Sequence, residues 1–261
     1  MRRAGAILAV LLVAGAAPPA RATDQHEYFS TKWIIEATPL PARESSVAPG
    51  SPVLKQRLLP LGLAVLDQDY VGAKPADRLA VGTELIRATG PAVPVYCAIR
   101  GKANLLSAVL SPLPSSTMRC FADDDADGDF DRTFSAATNV KELPQPMGDL
   151  PRDKAATIAV GYSVRSPETF GAGYYVGVLY DGQSMVGTLR RFRTVYGAEK
   201  KWGTPTGDNL FTKRDSDLPK AIEVLGAAFT VLGGDGKNVR IRIDRMMPAQ
   251  PFGIFATVRY Y

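Results

Sequence analysis

Apolar residues in this chain come in short runs, and a glycine or proline cluster ends almost every run before a helix of ordinary length is complete. Proline fixes φ and lacks an amide hydrogen, and glycine reaches conformations that other residues avoid, so both punctuate regular structure. Residues 28–38, centred on Trp33, Ile34 and Ile35, read as a strand, and Pro39, Pro41, Pro49, Gly50 and Pro52 then make a loop. Residues 54–66 are densely apolar, but Pro60 and Gly62 interrupt them, which favours one or two strands over a long helix. Asp67, Gln68 and Asp69 supply a polar turn, 79–88 resumes the pattern, Gly90-Pro91 turns the chain, and 93–99 is the next strand. Residues 105–110 and 118–121 are further short apolar runs.

The second half follows the same pattern. Residues 158–164, 174–180 and 185–195 read as strands, with Asp181-Gly182 placed as a two-residue hairpin turn between the last two. Val239, Ile241 and Ile243 alternate with Arg240, Arg242 and Asp244, the period of a half-buried strand, and 227–232 is the expected partner across Gly233-Gly234-Asp235-Gly236. Residues 219–226 suit a strand or a helical turn, and 252–261 close the chain as a strand. The expected fold class is all-β, an antiparallel sandwich or barrel-like, with little helix. Residues 139–154 hold Pro144, Pro146, Gly148 and Pro151 and read as a long connection within one β-rich domain spanning 23–261, a two-lobe split there being the alternative.

Met1-Arg2-Arg3, an apolar stretch over 4–17 and Ala20-Arg21-Ala22 have the order of a secretory signal peptide covering residues 1–22. The apolar stretch is shorter than the ~20 residues a spanning helix needs. Cleavage near Ala22 implies a periplasmic or secreted protein. It also removes three arginines and no acid, taking the formal net charge from +5 to +2, so the charge gives no support to nucleic acid as a partner. Cys97 and Cys120 are the only cysteines, and export to an oxidising compartment makes a disulfide between them the expectation. That bond ties one strand to the strand that leads into the most acidic part of the chain.

There, Asp123, Asp124, Asp125, Asp127, Asp129 and Asp131 place six carboxylates in nine residues. The spacing D-x-D-x-D-G-x-x-D suits a hard cation, because Ca²⁺ takes six to eight oxygens at about 2.3–2.6 Å and a short loop must curl to supply them. Gly128 permits the curl. Asp123, Asp125, Asp127 and Asp131 are the expected side-chain ligands, and Asp129 the expected backbone-carbonyl ligand, of a structural Ca²⁺. The loop resembles those of EF-hand-related and dockerin modules, and more closely the helix-free loops of FG-GAP repeats in integrin-type propellers. The resemblance covers nine residues, and Phe134 stands where an EF-hand carries its bidentate Glu. Strand-like flanks on both sides favour a cation-pinned β turn, and the loop does not recur, so no propeller is implied. The competing reading is an empty, solvated turn.

Other chemistry is sparse. His26 is the only histidine and sits near the expected mature terminus, which removes His-based triads, Cys–His dyads and His-ligated zinc. No catalytic residue is assigned. Carboxylate chemistry on envelope or extracellular polymers is the enzymatic alternative to a binding or structural module. Arg190, Arg191, Arg193, Lys200, Lys201 and Trp202, with Phe192 and Tyr196, form a basic and aromatic segment that suits an envelope glycan or an anionic surface, or else the solvated face of an edge strand. The terminal Tyr260-Tyr261 raises an outer-membrane β-barrel as a further alternative.

Overall fold

The structure, a computed structural model, describes residues 27–41, 44–72, 78–99, 102–103, 116–138, 142–151, 156–183, 189–199, 201–203 and 210–254. The expected signal peptide, His26, residues 105–110, Lys200 and Tyr260-Tyr261 lie outside the described residues. Among those described, all regular structure is strand apart from two 3₁₀ turns at Pro167–Thr169 and Asp215–Asp217, as the all-β reading expects.

The chain begins with β1 (Tyr28–Thr31), β2 (Trp33–Ile35), β3 (Glu44–Val47) and β4 (Ser51–Pro60). It continues through β5 (Leu63–Leu66), β6 (Glu84–Thr89), β7 (Val95–Ala98), β8 (Lys102–Ala103), β9 (Ser116–Ala122), β10 (Asp129–Thr138), β11 (Met147–Asp149) and β12 (Ala156–Arg165). Next come β13 (Tyr174–Gln183), β14 (Leu189–Ala198), β15 (Lys201–Gly203) and β16 (Leu210–Arg214). The last described elements are β17 (Lys220–Val224), β18 (Ala227–Asp235), β19 (Asn238–Arg245) and β20 (Pro251–Phe252), and the rest of the expected closing strand, 255–261, lies outside the described residues.

These strands make three antiparallel sheets. In the first, β5, β6, β7, β9, β10 and β12 pair in sequence, and β12 returns to β5, so the meander closes on itself. β1 and β11 add a second closure, since β1 pairs with β6, β11 pairs with β10, and the two pair with each other. The proline-rich stretch 139–154 thus contributes β11 to this wall. The second sheet runs β15-β14-β13-β4-β2-β20 with β16 also on β14, and the third runs β17-β18-β19-β3.

Alternation along the strands decides where the apolar side chains go. One cluster joins the second and third sheets as a sandwich, with Trp33, Leu58, Val178, Tyr180 and Phe192 on one side and Phe229, Val231, Val239 and Ile241 on the other. Leu63 and Ile86 from the closed sheet belong to the same cluster, so the two sheet systems share a core. Trp33 also donates its indole N–H to the Pro144 carbonyl at 2.9 Å, which satisfies a polar group inside apolar packing. A second cluster gathers Leu66, Leu85, Tyr96, Phe121, Phe130 and Val160. Tyr96 on β7 and Tyr162 on β12 are not neighbours around the ring, yet their rings lie 5.3 Å apart, so this cluster fills the lumen. The opposite face of β7 and β9 carries Val95, Cys97, Cys120 and Ala122, covered by Phe29 and Phe134, whose rings meet edge-on at 5.5 Å.

Two sequence expectations change. β13 runs through Asp181-Gly182 to Gln183, and the pair forms a bulge, because Tyr180 faces Phe192 and Gly182 faces Arg191 with Asp181 extra. Gly182 has φ +104°, and a hairpin turn and a glycine bulge both need that conformation, so the dipeptide alone does not separate them. The helical option at 219–226 gives way to β17, followed by a turn at Leu225 and Gly226 with φ of 49° and 77°. Two positive φ values in succession define a tight hairpin into β18.

Candidate metal centre

The acidic turn joins β9 to β10, the most extensively paired hairpin of the closed sheet, which keeps register from Arg132↔Ala122 to Thr138↔Ser116. Cys97 and Cys120 are direct cross-strand neighbours and are bonded, with Cα atoms 4.0 Å apart and both residues fully buried. The disulfide therefore clamps β7 to β9 just before the turn, as the sequence reading expects.

Asp123 leaves β9 with its amide donating to the Pro94 carbonyl at 3.0 Å, and the residue is fully buried. Its Oδ1 accepts from the Ala126 amide at 2.6 Å, and its Oδ2 accepts from the Gly128 amide at 3.2 Å and the Tyr162 hydroxyl at 2.8 Å. A buried carboxylate needs such donors, since an unpaired one carries a large desolvation penalty. A carboxylate offers about four lone-pair sites, so three donors leave Asp123 room for one further bond. Ala126 at φ 61° and Gly128 at φ 99° bend the backbone around it.

The other aspartates divide. Carboxylate oxygens of Asp123, Asp125 and Asp131 lie within 4.8 Å of one another. Two oxygens on opposite sides of one Ca²⁺ stand about 4.6–5.2 Å apart, so this spacing is compatible with a single ion. Asp131 also accepts from the Asp124 amide at 2.7 Å. Asp127, an expected ligand, instead uses Oδ1 to accept the Asp129 amide at 2.9 Å and is outside the convergent set. Asp129 opens β10 opposite Gly161, and its carboxylate lies against that glycine. Asp124 is turned away and ion-paired with Arg132, whose Nη1 also donates to the Pro151 carbonyl at 2.8 Å.

Electrostatics follow the geometry. The carboxyl of Asp125 is held above its ordinary range by partial loss of water and by the negative charges of Asp127, Asp131 and Asp123. Tyr162 titrates well above an ordinary phenol because it is partly buried and its hydroxyl donates to the charged Asp123. Sequence reasoning missed Tyr162 and Arg132. Tyr162 is 39 positions from Asp123 and shows only as an alternating strand residue, whereas Arg132 follows the acidic run directly and its charge is a readable signal.

The basic segment on β14 is largely inward-facing or paired. Arg190 is buried, holds Asp215 at 2.9 Å, and donates to the Tyr180 hydroxyl at 3.0 Å and to the Gly236 and Asn238 carbonyls at 3.2 Å each. Arg193 pairs with Asp181 at 2.9 Å, Phe192 and Tyr196 are buried, and Arg191 is exposed. The side chains of Lys201 and Trp202 are outside the described residues. A surface depression of about 360 Å³ is lined by Leu189, Arg214, Asp215 and Ser216, and one of about 270 Å³ by Thr38, Pro39, Pro41, Pro52, Val53, Leu54, Lys55 and Met246. Neither of the two holds a pair of facing carboxylates.

Fold and site together define an all-β protein of antiparallel sheets, one of them closing like a barrel and carrying a disulfide-clamped acidic hairpin. No family model, curated protein or solved structure matches the chain.

Proposed function

We propose that this is an exported β-rich binding or structural protein whose acidic turn takes a Ca²⁺ ion in a structural role. The observation that carries the reading is the convergence of the Asp123, Asp125 and Asp131 carboxylates within 4.8 Å at the tip of a hairpin whose first strand is cross-linked to β7 just before the turn. Gathering like charges at that distance is unfavourable, and a divalent cation offsets the repulsion while bridging the two strands. The bonded cysteine pair is compatible with an oxidising compartment outside the cytosol. Among the described residues no helix is long and apolar enough to cross a membrane. Export by a cleaved signal peptide over residues 1–22 completes the reading.

Titration calorimetry of the exported protein, stripped with EGTA and then supplied with Ca²⁺, tests it directly. One binding event with Kd of about 10⁻⁴–10⁻³ M is expected for a module outside the cell, lost in Asp131→Asn. Absence of heat up to 20-fold above that range, together with melting curves that ignore both Ca²⁺ and EGTA, overturns the reading.

A further inference from the structure

We draw no further inference here: the strongest candidate, the side-chain cluster at the mouth of the barrel-like sheet where Arg87 and Tyr96 stand beside the Tyr162–Asp123 hydrogen bond, belongs to the acidic turn already described.

Discussion

Replacing Asp125 by Asn separates the two consequences of crowding carboxylates in the turn. In EGTA the substitution removes a negative charge that Asp127, Asp131 and Asp123 oppose, so the variant is expected to melt above the wild type. In Ca²⁺ it removes a ligand of the proposed site, so the order is expected to reverse. For the wild type, Kd of about 10⁻⁴–10⁻³ M and 10 mM Ca²⁺ give a 10- to 100-fold excess, and binding to the folded state alone stabilises by about 1.4–2.7 kcal/mol. At about 2–4 °C per kcal/mol for a domain of this size, the melting temperature is expected to rise by about 3–11 °C. The sign with pH is also determined. A carboxyl whose folded pKa is raised contributes no penalty below its unfolded pKa and the full penalty above its folded one, so the advantage of the variant in EGTA disappears as pH falls through that window. Melting followed by circular dichroism in the two buffers, for both proteins, reads all of this. Wild-type curves that coincide in Ca²⁺ and EGTA, or a variant that melts lower than wild type in EGTA, refute the reasoning.

Four further outcomes follow from the packing. Tyr162→Phe keeps the ring stacked on Phe130 at 4.2 Å but deletes the donor to a buried carboxylate, and urea denaturation is expected to show a loss of about 1.5–3 kcal/mol. The Cys97→Ser, Cys120→Ser double variant loses a cross-link closing a 23-residue separation, for about 3 kcal/mol in the chain-entropy model, and a thiol assay on the unfolded, unreduced wild type should find no free thiol. Arg190→Met takes the ion-pair partner from Asp215 and a donor from two carbonyls and from the Tyr180 hydroxyl, which keeps its bond to the Lys237 carbonyl at 3.2 Å, and because Asp215 is 38% exposed no buried charge is left behind and a loss of about 1–3 kcal/mol is expected. A Cβ on Gly234 would stand 2.0 Å from Nη2 of Arg190, so Gly234→Ala should destabilise in wild type and much less in the Arg190→Met background.

Much of the fold was legible because alternation is a local property. Val239, Ile241 and Ile243 are buried while Arg240, Arg242 and Asp244 are exposed, and β18 pairs with them through Val231↔Ile241. The pairing of 118–121 with 130–134 was legible from strand-like flanks on the two sides of one turn, and the disulfide from two lone cysteines in a chain read as exported. What local pattern does not contain is closure. Nothing near Leu63–Leu66 shows that it pairs with Tyr162 to Arg165, nearly a hundred positions away, and that contact makes a ring of the meander. The strand 28–38 was read as one element, but Lys32 divides it between β1 in the closed sheet and β2 in the sandwich. At the site, the spacing of Asp123, Asp125 and Asp131 was informative, but Asp127 was not separable from them. An aspartate two residues before an amide that needs a partner has a local use, and Asp127 bonds the Asp129 amide.

That local bonding also constrains what an ion can do. The carboxylate of Asp123 is fixed by two turn amides and by Tyr162, Asp131 is fixed by the Asp124 amide, and Arg132 draws Asp124 outward toward Pro151. The backbone of the turn is thus bent by protein donors, which also hold two of the three convergent carboxylates. An ion bound as proposed would gain from preorganisation and have little chain to order. Binding should therefore move the urea midpoint without changing the slope, because the surface exposed on unfolding stays the same. It should also leave the far-ultraviolet spectrum unchanged. A slope that rises with Ca²⁺ would mean that the ion recruits structure, and the hydrogen-bonded turn could not then be the state that receives it.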